Sequence, residues 1–355
     1  MTTMQQSERK QWAREHLRGI ENCIFPSFDA TLEHLDEEGI RLDVRQSIAH
    51  GFVSSLLTSE AGLSLAEAKR FVEIAVDEAG SDLNVSVTLL RDTHEQNLEL
   101  AAHAQSVGAH GALLGFPFTF YPQDAEEVYT ATSELCEAAP ELAMVLYATH
   151  KFNFGRFHPS GWPLDVLERS AALPNVVALK IGLLEPGFIE EAFARVGDSL
   201  VIQFPWERWW PLAARSFGLQ FAGAGAYELF QSPEKPYLVD YFDLLLAGRF
   251  DEAKELYWRL TPVRLVFEKQ FMPTQMIGTY HWPQQKYYQW LTGGNGGYTR
   301  QPVMKMVQYE MDECRGALQA IGITPTSSPD AEFFAGRSSV ARGTRVGGAA
   351  GAVAS

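Results

Sequence analysis

The feature that most constrains this chain is a rhythm. Between about residues 20 and 230, short apolar runs alternate with longer amphipathic stretches. The candidate strands are Cys23–Phe28, Phe52–Thr58, Asn84–Leu89, Gly111–Phe116, Ala143–Ala148, Val176–Ile181, Leu200–Phe204 and Leu219–Gly223. Runs such as VVALKI and AMVLYA are apolar throughout, as strands are when a parallel sheet is covered on both faces. Between them, Leu65–Glu78 follows a helical pattern, with Ser64 as N-cap and Glu67 three residues on as its capping-box partner. His94–Ser106 and Asp124–Ala138 follow similar patterns. The alternation predicts an α/β chain, and eight strands fit a closed (β/α)8 TIM barrel better than an open sheet.

After about residue 232 the rhythm stops. Tyr237–Leu246, Phe250–Phe267 and Val303–Ile321 read as helices with no strands between them, which predicts a C-terminal helical subdomain. The expected division is an N-terminal extension over 1–19, a barrel over 20–232, the helical subdomain over 233–325 and a tail over 326–355. That tail is rich in Gly, Ala, Ser and Pro, so it is either mobile or runs along the surface.

Composition removes several function classes. A formal net charge of −15 with no basic run argues against a nucleic-acid partner. A polar N-terminus and the lack of an 18-residue apolar run argue against a signal peptide or a membrane span. Cys23, Cys136 and Cys314 are far apart and form no CxxC, which disfavours disulfides or a zinc site and fits a reducing cytoplasm. His103, His110, His150, His158 and His281 lack ligand spacing, so no metal is expected.

Chemistry enters at Lys180, in NVVALKIG. Barrel active sites sit at the C-terminal ends of the strands. An amine there either snorkels to solvent or occupies a low-dielectric pocket that favours the neutral nucleophile. A neutral amine attacks a ketone to form an imine, which then serves as an electron sink. Tyr147 ends the preceding strand, where it is either an acid/base beside that lysine or a ring closing a barrel layer. In the loop LLTSEAGLS, Thr58 and Ser59 offer hydroxyls and N–H groups that suit a carboxylate, unless this is an ordinary turn capped by Ser64. Glu60 either bonds to loop N–H groups or is solvated at the helix start. His150 is either a second acid/base or structural, and the run Gly293–Gly297 reads as a turn, lacking every phosphate-loop companion.

At these residues the chain resembles the dihydrodipicolinate synthase / N-acetylneuraminate lyase family of Schiff-base-forming barrels, over about Phe25 to Ile323. FPSF resembles the family's opening strand, TSE its Thr-Gly-Glu loop, LYATH and ALKIG the segments holding its tyrosine and lysine, and GYTRQPVMKM its terminal helix. The stretch KFNFGRFHPSGWPLDVLERSAALPNVVALK is most similar to hydratase-aldolases that cleave aryl-substituted 2-oxobut-3-enoates. The resemblance implies an imine on Lys180, acid/base work by Tyr147, carboxylate binding by Thr58 and Ser59, no cofactor, and a homotetramer.

The departures are specific. Leu57 stands for one of the loop's threonines and Ser59 for its glycine. Thr119 takes the place of a second tyrosine that synthases receive from a neighbouring subunit, with Tyr121 two residues on. Phe152, flanked by Lys151 and Arg156, stands near the place of an arginine that grips a second carboxylate. Trp206, Glu207, Arg208, Trp209 and Trp210 end the seventh strand, and Phe116, Phe118, Phe120, Phe152 and Phe154 come from other loops at the same end. These rings either line a pocket for an aromatic substrate or pack the barrel top. Thr119, His150, Phe152, Trp206, Glu207 and Gly223 complete the expected substrate-facing set. Three functions stay open: a pyruvate-releasing hydratase-aldolase of an aryl-substituted 2-oxo acid, a lyase or dehydratase of a sugar-derived 2-oxo acid, and a non-catalytic 2-oxo-acid-binding barrel.

Overall fold

A computed structural model of the chain describes residues 2–276 and 278–344. Eight parallel strands close into a barrel in chain order. They are β1 (Gly19–Ile24), β2 (Ser54–Leu57), β3 (Asn84–Leu89), β4 (Gly111–Leu114), β5 (Ala143–Ala148), β6 (Val176–Ile181), β7 (Val201–Gln203) and β8 (Phe221–Gly225). The expected spans of β3, β5 and β6 hold to the residue, while β2, β4 and β7 are shorter than their apolar runs. The largest displacement is β1, which starts at Gly19 rather than Cys23. Its cause is Glu21, a charge that looks out of place in a strand but is satisfied in the barrel interior. Its carboxylate accepts from Ser54 and Ser86 Oγ at 2.9 Å each and from Gln203 Nε2 at 2.7 Å. Strands β3 and β7 are not neighbours of β1, so these bonds cross the interior.

The helices cover the barrel for reasons visible in their spacing. In Leu65–Ala79, Ala68, Phe71, Val72, Ala75 and Ala79 recur at three and four residues and are buried on one face. The capping box forms as expected, with Glu67 N–H donating to Ser64 Oγ at 3.2 Å and Ser64 N–H to Glu67 Oε2 at 2.9 Å. Truncating Phe71 to Ala would cost about 3–5 kcal/mol of transfer and cavity energy. Glu67 has a second partner. Arg300, from the C-terminal part of the chain, grips both of its oxygens at 2.8 Å and also donates to Gly62 O at 3.2 Å and Leu32 O at 2.8 Å.

Beyond the barrel lie Tyr237–Leu246, Phe250–Arg259, Thr261–Met276, Trp282–Leu291 and Gln308–Ala320. The expected helix Phe250–Phe267 is two, because the chain restarts at Thr261 with Pro262 in the first turn, where its missing N–H costs nothing. Trp282–Leu291 has no amphipathic signature because residues 283–291 are buried on every side. It seats against β1, with Lys286 Nζ donating to Pro26 O at 2.8 Å and Gln289 Nε2 to Cys23 O at 2.7 Å.

The N-terminal extension is helical from Thr2 to His16. The first part of the tail is docked on the surface: Phe333 is buried against Tyr287 and Trp290, and Arg342 Nη2 donates to Asp36 Oδ1 at 2.9 Å. The remainder, 345–355, lies outside the described residues. All three cysteines are free and buried. No helix among the described residues is long and apolar enough to cross a membrane.

Candidate active site

Lys180 and Tyr147 face each other across the β5–β6 seam as register partners. Each lies near the C-terminal end of its strand and is nearly buried, and Lys180 Nζ is 5.1 Å from the centre of the Tyr147 ring. Glycine follows where the ring needs room: a Cβ on Gly182 would meet Tyr147 Cε2 at 2.8 Å. The two side chains border a cavity of about 50 Å³ that Thr58, Glu60, Trp206 and Tyr280 also line. A second hollow of about 280 Å³ shares Tyr147, Glu60 and Tyr280 with it and is walled by Phe116, Phe120 and Phe152.

Charged groups crowd this mouth. The Lys151 ammonium has no hydrogen-bond partner among the described residues and stands 3.0 Å above the Tyr280 ring. Burial, with the Lys180 charge nearby, lowers its pKa to about 7 despite the opposing pull of Glu60. Glu60 accepts from Thr88 Oγ1 at 2.5 Å, and burial raises its carboxyl above the usual range. Burial raises the Tyr280 phenol well above the usual tyrosine value.

The structure sorts the expected site residues. Tyr147, Lys180, Thr58 and Trp206 come together around the cavity, and Phe152 lines the adjoining hollow, its ring edge-on to Tyr147 at 5.9 Å. His150 is exposed and lines an outer hollow with Thr149, Asn153 and Glu185.

Four expectations need correction. Ser59 turns away from the cavity: its N–H donates to Thr88 Oγ1 at 2.8 Å and its hydroxyl to Thr88 O at 2.6 Å, so both groups brace the loop. Thr119 is exposed and borders neither the cavity nor the hollow. Glu207 is buried in an ion pair with Arg264, whose Nη2 donates to it at 2.9 Å, so it joins β7 to the helical subdomain. Gly223 is a close-packing position, since a Cβ there would come within 2.4 Å of Glu21 O.

The aromatic residues divide as well. Phe154, Trp162 and Trp210 are fully buried core, whereas Phe152 and Trp206 border open space. Tyr280 and Trp282 were not foreseen at the site; the one signal for them is the aromatic cluster GTYHWP between two helical patterns.

A buried amine and a phenol registered side by side at the mouth of a (β/α)8 barrel fit a class, the Schiff-base-forming aldolases and lyases. Residues 17–264 match the model of the dihydrodipicolinate synthetase family. The chain belongs to that family, and is a lyase of the Schiff-base aldolase class. Among curated relatives, a 4-hydroxy-tetrahydrodipicolinate synthase of Syntrophobacter fumaroxidans is 29% identical over 238 residues, covering 64% of this chain and 76% of that protein. Two solved structures share the fold. Dihydrodipicolinate synthase from Aquifex aeolicus superposes with a TM-score of 0.72 at 18% identity, covering 87% of this chain and 100% of that one. N-acetylneuraminate lyase from Fusobacterium nucleatum does so with 0.70 at 17%, covering 86% and 99%.

Proposed function

We propose that the protein is a pyruvate-releasing hydratase-aldolase acting on an aryl-substituted 2-oxo acid. The observation that carries this reading is the hollow that adjoins the Lys180 cavity through Tyr147, walled by Phe116, Phe120 and Phe152 and edged by Glu60, Arg91, Asp92 and Lys151. Apolar area and ring stacking favour an aryl group there.

In this reading the Lys180 amine attacks the 2-oxo carbon and Tyr147 protonates the departing oxygen, leaving an iminium. Conjugation to that iminium makes the aryl-bearing carbon electrophilic; water adds there and loses a proton, and protonation of the adjacent carbon of the resulting enamine restores the iminium. Removal of the new hydroxyl's proton then breaks the adjacent carbon–carbon bond. The aryl aldehyde departs, the electron pair flows to the iminium as an enamine, and protonation and hydrolysis release pyruvate. Thr58 lines the cavity and is the residue left beside it to meet the substrate carboxylate, its hydroxyl donating to Ile24 O at 3.2 Å until substrate binds, while the Ser59 hydroxyl is committed to Thr88 O.

A second reading, a lyase of a sugar-derived 2-oxo acid, draws support from the outer hollow, where His150, Asn153 and Glu185 could meet hydroxyl groups. The third, a non-catalytic binder, leaves the pairing of Lys180 with Tyr147 unused. We also propose a homotetramer, by family resemblance, in a reducing compartment suited to three free cysteines; light scattering on the purified protein tests the assembly.

Borohydride reduction in the presence of pyruvate should add mass to the peptide carrying Lys180. No adduct with pyruvate or other 2-oxo acids would remove the Schiff-base reading. Growth of enone absorbance from pyruvate plus aryl aldehydes, absent with sugar aldehydes, selects the first function over the second.

A further inference from the structure

Two open spaces meet beside Lys180: the cavity of about 50 Å³ that the amine borders and the aromatic-walled hollow of about 280 Å³. Four residues, Glu60, Leu90, Tyr147 and Tyr280, line both. A 2-oxo acid joined to Lys180 with its aryl group in the hollow has its aryl-bearing carbon, two bonds from the imine carbon, at that junction. Of the four, Glu60 is the carboxylate; Leu90 has no titratable group, and burial keeps the Tyr280 proton in place at neutral pH. Lys151 borders the hollow but not the Lys180 cavity. Glu60 is held by a hydrogen-bonded chain of fixed direction. The Ser59 N–H donates to Thr88 Oγ1 at 2.8 Å, and the Thr88 hydroxyl donates in turn to Glu60 Oε2, its nearest acceptor, at 2.5 Å. Arg91 pins the same turn, its guanidinium donating to Ser59 O and, at 2.6 Å, to Leu63 O. Among the described residues no side chain other than Thr88 donates to the Glu60 carboxylate, and the residue is only part-buried.

Building on the aryl-substituted 2-oxo acid reading above, we propose that Glu60 is the general base of the two steps that follow imine formation. In the first, its carboxylate takes a proton from water as the water oxygen bonds to the aryl-bearing carbon. The electron pair of the conjugated double bond shifts toward the imine carbon and that of C=N moves to nitrogen, leaving an enamine. Glu60 gives its proton to the adjacent carbon, which restores both the iminium and the carboxylate. In the second step Glu60 takes the proton of the new hydroxyl and the aldehyde C=O forms. The carbon–carbon bond breaks, and its electrons pass to the iminium as an enamine. Glu60 then holds the proton which that enamine needs to become the pyruvate iminium. Burial raises the Glu60 carboxyl above the usual range, against the Thr88 bond and the charges of Lys151 and Arg91, which strengthens it as a base. The other titratable groups bordering the two spaces are Asp92, Cys23, Tyr227, Lys180 and the phenols of Tyr147 and Tyr280.

The competing role is that of a strut for the loop carrying Thr58. Glu60→Gln separates the two, because its amide oxygen keeps the Thr88 bond while the base is lost. Two rates are read on the purified protein. One is formation of the pyruvate imine, trapped with borohydride and read by mass. The other is cleavage of saturating benzylidenepyruvate, followed by loss of enone absorbance. Glu60→Gln should form the imine within about threefold of wild type and cleave about 10²- to 10⁴-fold more slowly, the worth of a positioned acid/base. A cleavage rate equal to wild type, or an equal loss in both rates, overturns the proposal.

A second measurement uses the wild-type protein alone. A base works in its ionised form, so kcat for cleavage should fall as pH drops through the Glu60 pKa, above the ordinary carboxylate range, with substrate imine accumulating on Lys180 as cleavage slows. A kcat that stays flat, or a fall with no accumulated imine, overturns the proposal even where Glu60→Gln does not fold. If the wild-type protein forms no pyruvate imine, the Schiff-base reading fails; if it forms the imine but cleaves no benzylidenepyruvate, the aryl reading fails. Either result removes the base with its parent reading, whereas a Glu60→Gln protein that cleaves as fast as an active wild type removes the base alone.

Discussion

Two of the barrel's buried charged regions are treated in opposite ways. Below the site, Glu21 is met by three donors from three other strands, and Asn22 donates to Ser47 Oγ at 2.8 Å and Glu228 Oε1 at 2.7 Å. At the mouth, Lys151 has no hydrogen-bond partner among the described residues, and Lys180 faces a ring rather than a carboxylate. A buried polar group normally keeps its partners, because leaving it unpaired costs about 1–3 kcal/mol or more. The lower network is therefore architecture. At the mouth, in the function proposed above, the missing partner is the ligand, with stability given up for reactivity.

Lys180→Ala should have the largest effect: the borohydride adduct disappears, and an adduct surviving on another peptide would move the nucleophile, with Lys151 the first place to look. Tyr147→Phe comes next, slowing imine formation by about 10²- to 10⁴-fold in rapid-quench measurements, the usual worth of a positioned acid/base. A rate unchanged by that substitution would mean that solvent supplies the proton.

Below the site the effect should fall on stability instead. Glu21→Ala removes the acceptor for Ser54, Ser86 and Gln203, and is expected to lower unfolding free energy by about 2–4 kcal/mol in urea titrations. Imine formation per folded chain should stay within about twofold of wild type. A large catalytic loss in a stable Glu21→Ala protein would erase the distinction between the two regions.

The smallest effect concerns pH. Lys151 is lowered from 10.5 to about 7, so between those values the unfolded chain binds a proton that the folded chain has released. Its contribution to stability is present above 10.5 and is lost as pH falls through 7. Wild-type stability should therefore rise over that interval. Lys151→Met should flatten the slope; an identical slope in both proteins would place the amine in bulk solvent.

What the sequence makes legible follows from how local each signal is. Lys180 and Tyr147 each close an unbroken apolar run, so strand patterning alone puts them at one end of a barrel. Thr58 rides on the same logic, one residue past β2. Ser59 does not, because its hydroxyl is claimed by Thr88 on β3, 29 residues away, which only the barrel brings near. Glu207 looks like a substrate ligand among tryptophans until Arg264, 57 residues on, folds against it. Glu21 misleads in the other direction: its charge hides a strand that the closed barrel makes satisfactory. Tyr280 is the hardest to foresee. It lies 133 residues beyond Tyr147 in the connection between two helices, and tertiary packing alone brings the two to one cavity.

Arg300 has a practical consequence for anyone cutting or recombining this chain. It bridges the carbonyl of Gly62 and the carboxylate of Glu67, so the loop carrying Thr58 and Glu60 is clamped by a residue far downstream. A proteolytic nick or a domain swap near residue 300 would release that clamp and reach the cavity beside Lys180 without touching a single barrel strand. Chimaeras with relatives should therefore exchange the loop, its helix and the arginine together, as one inherited unit.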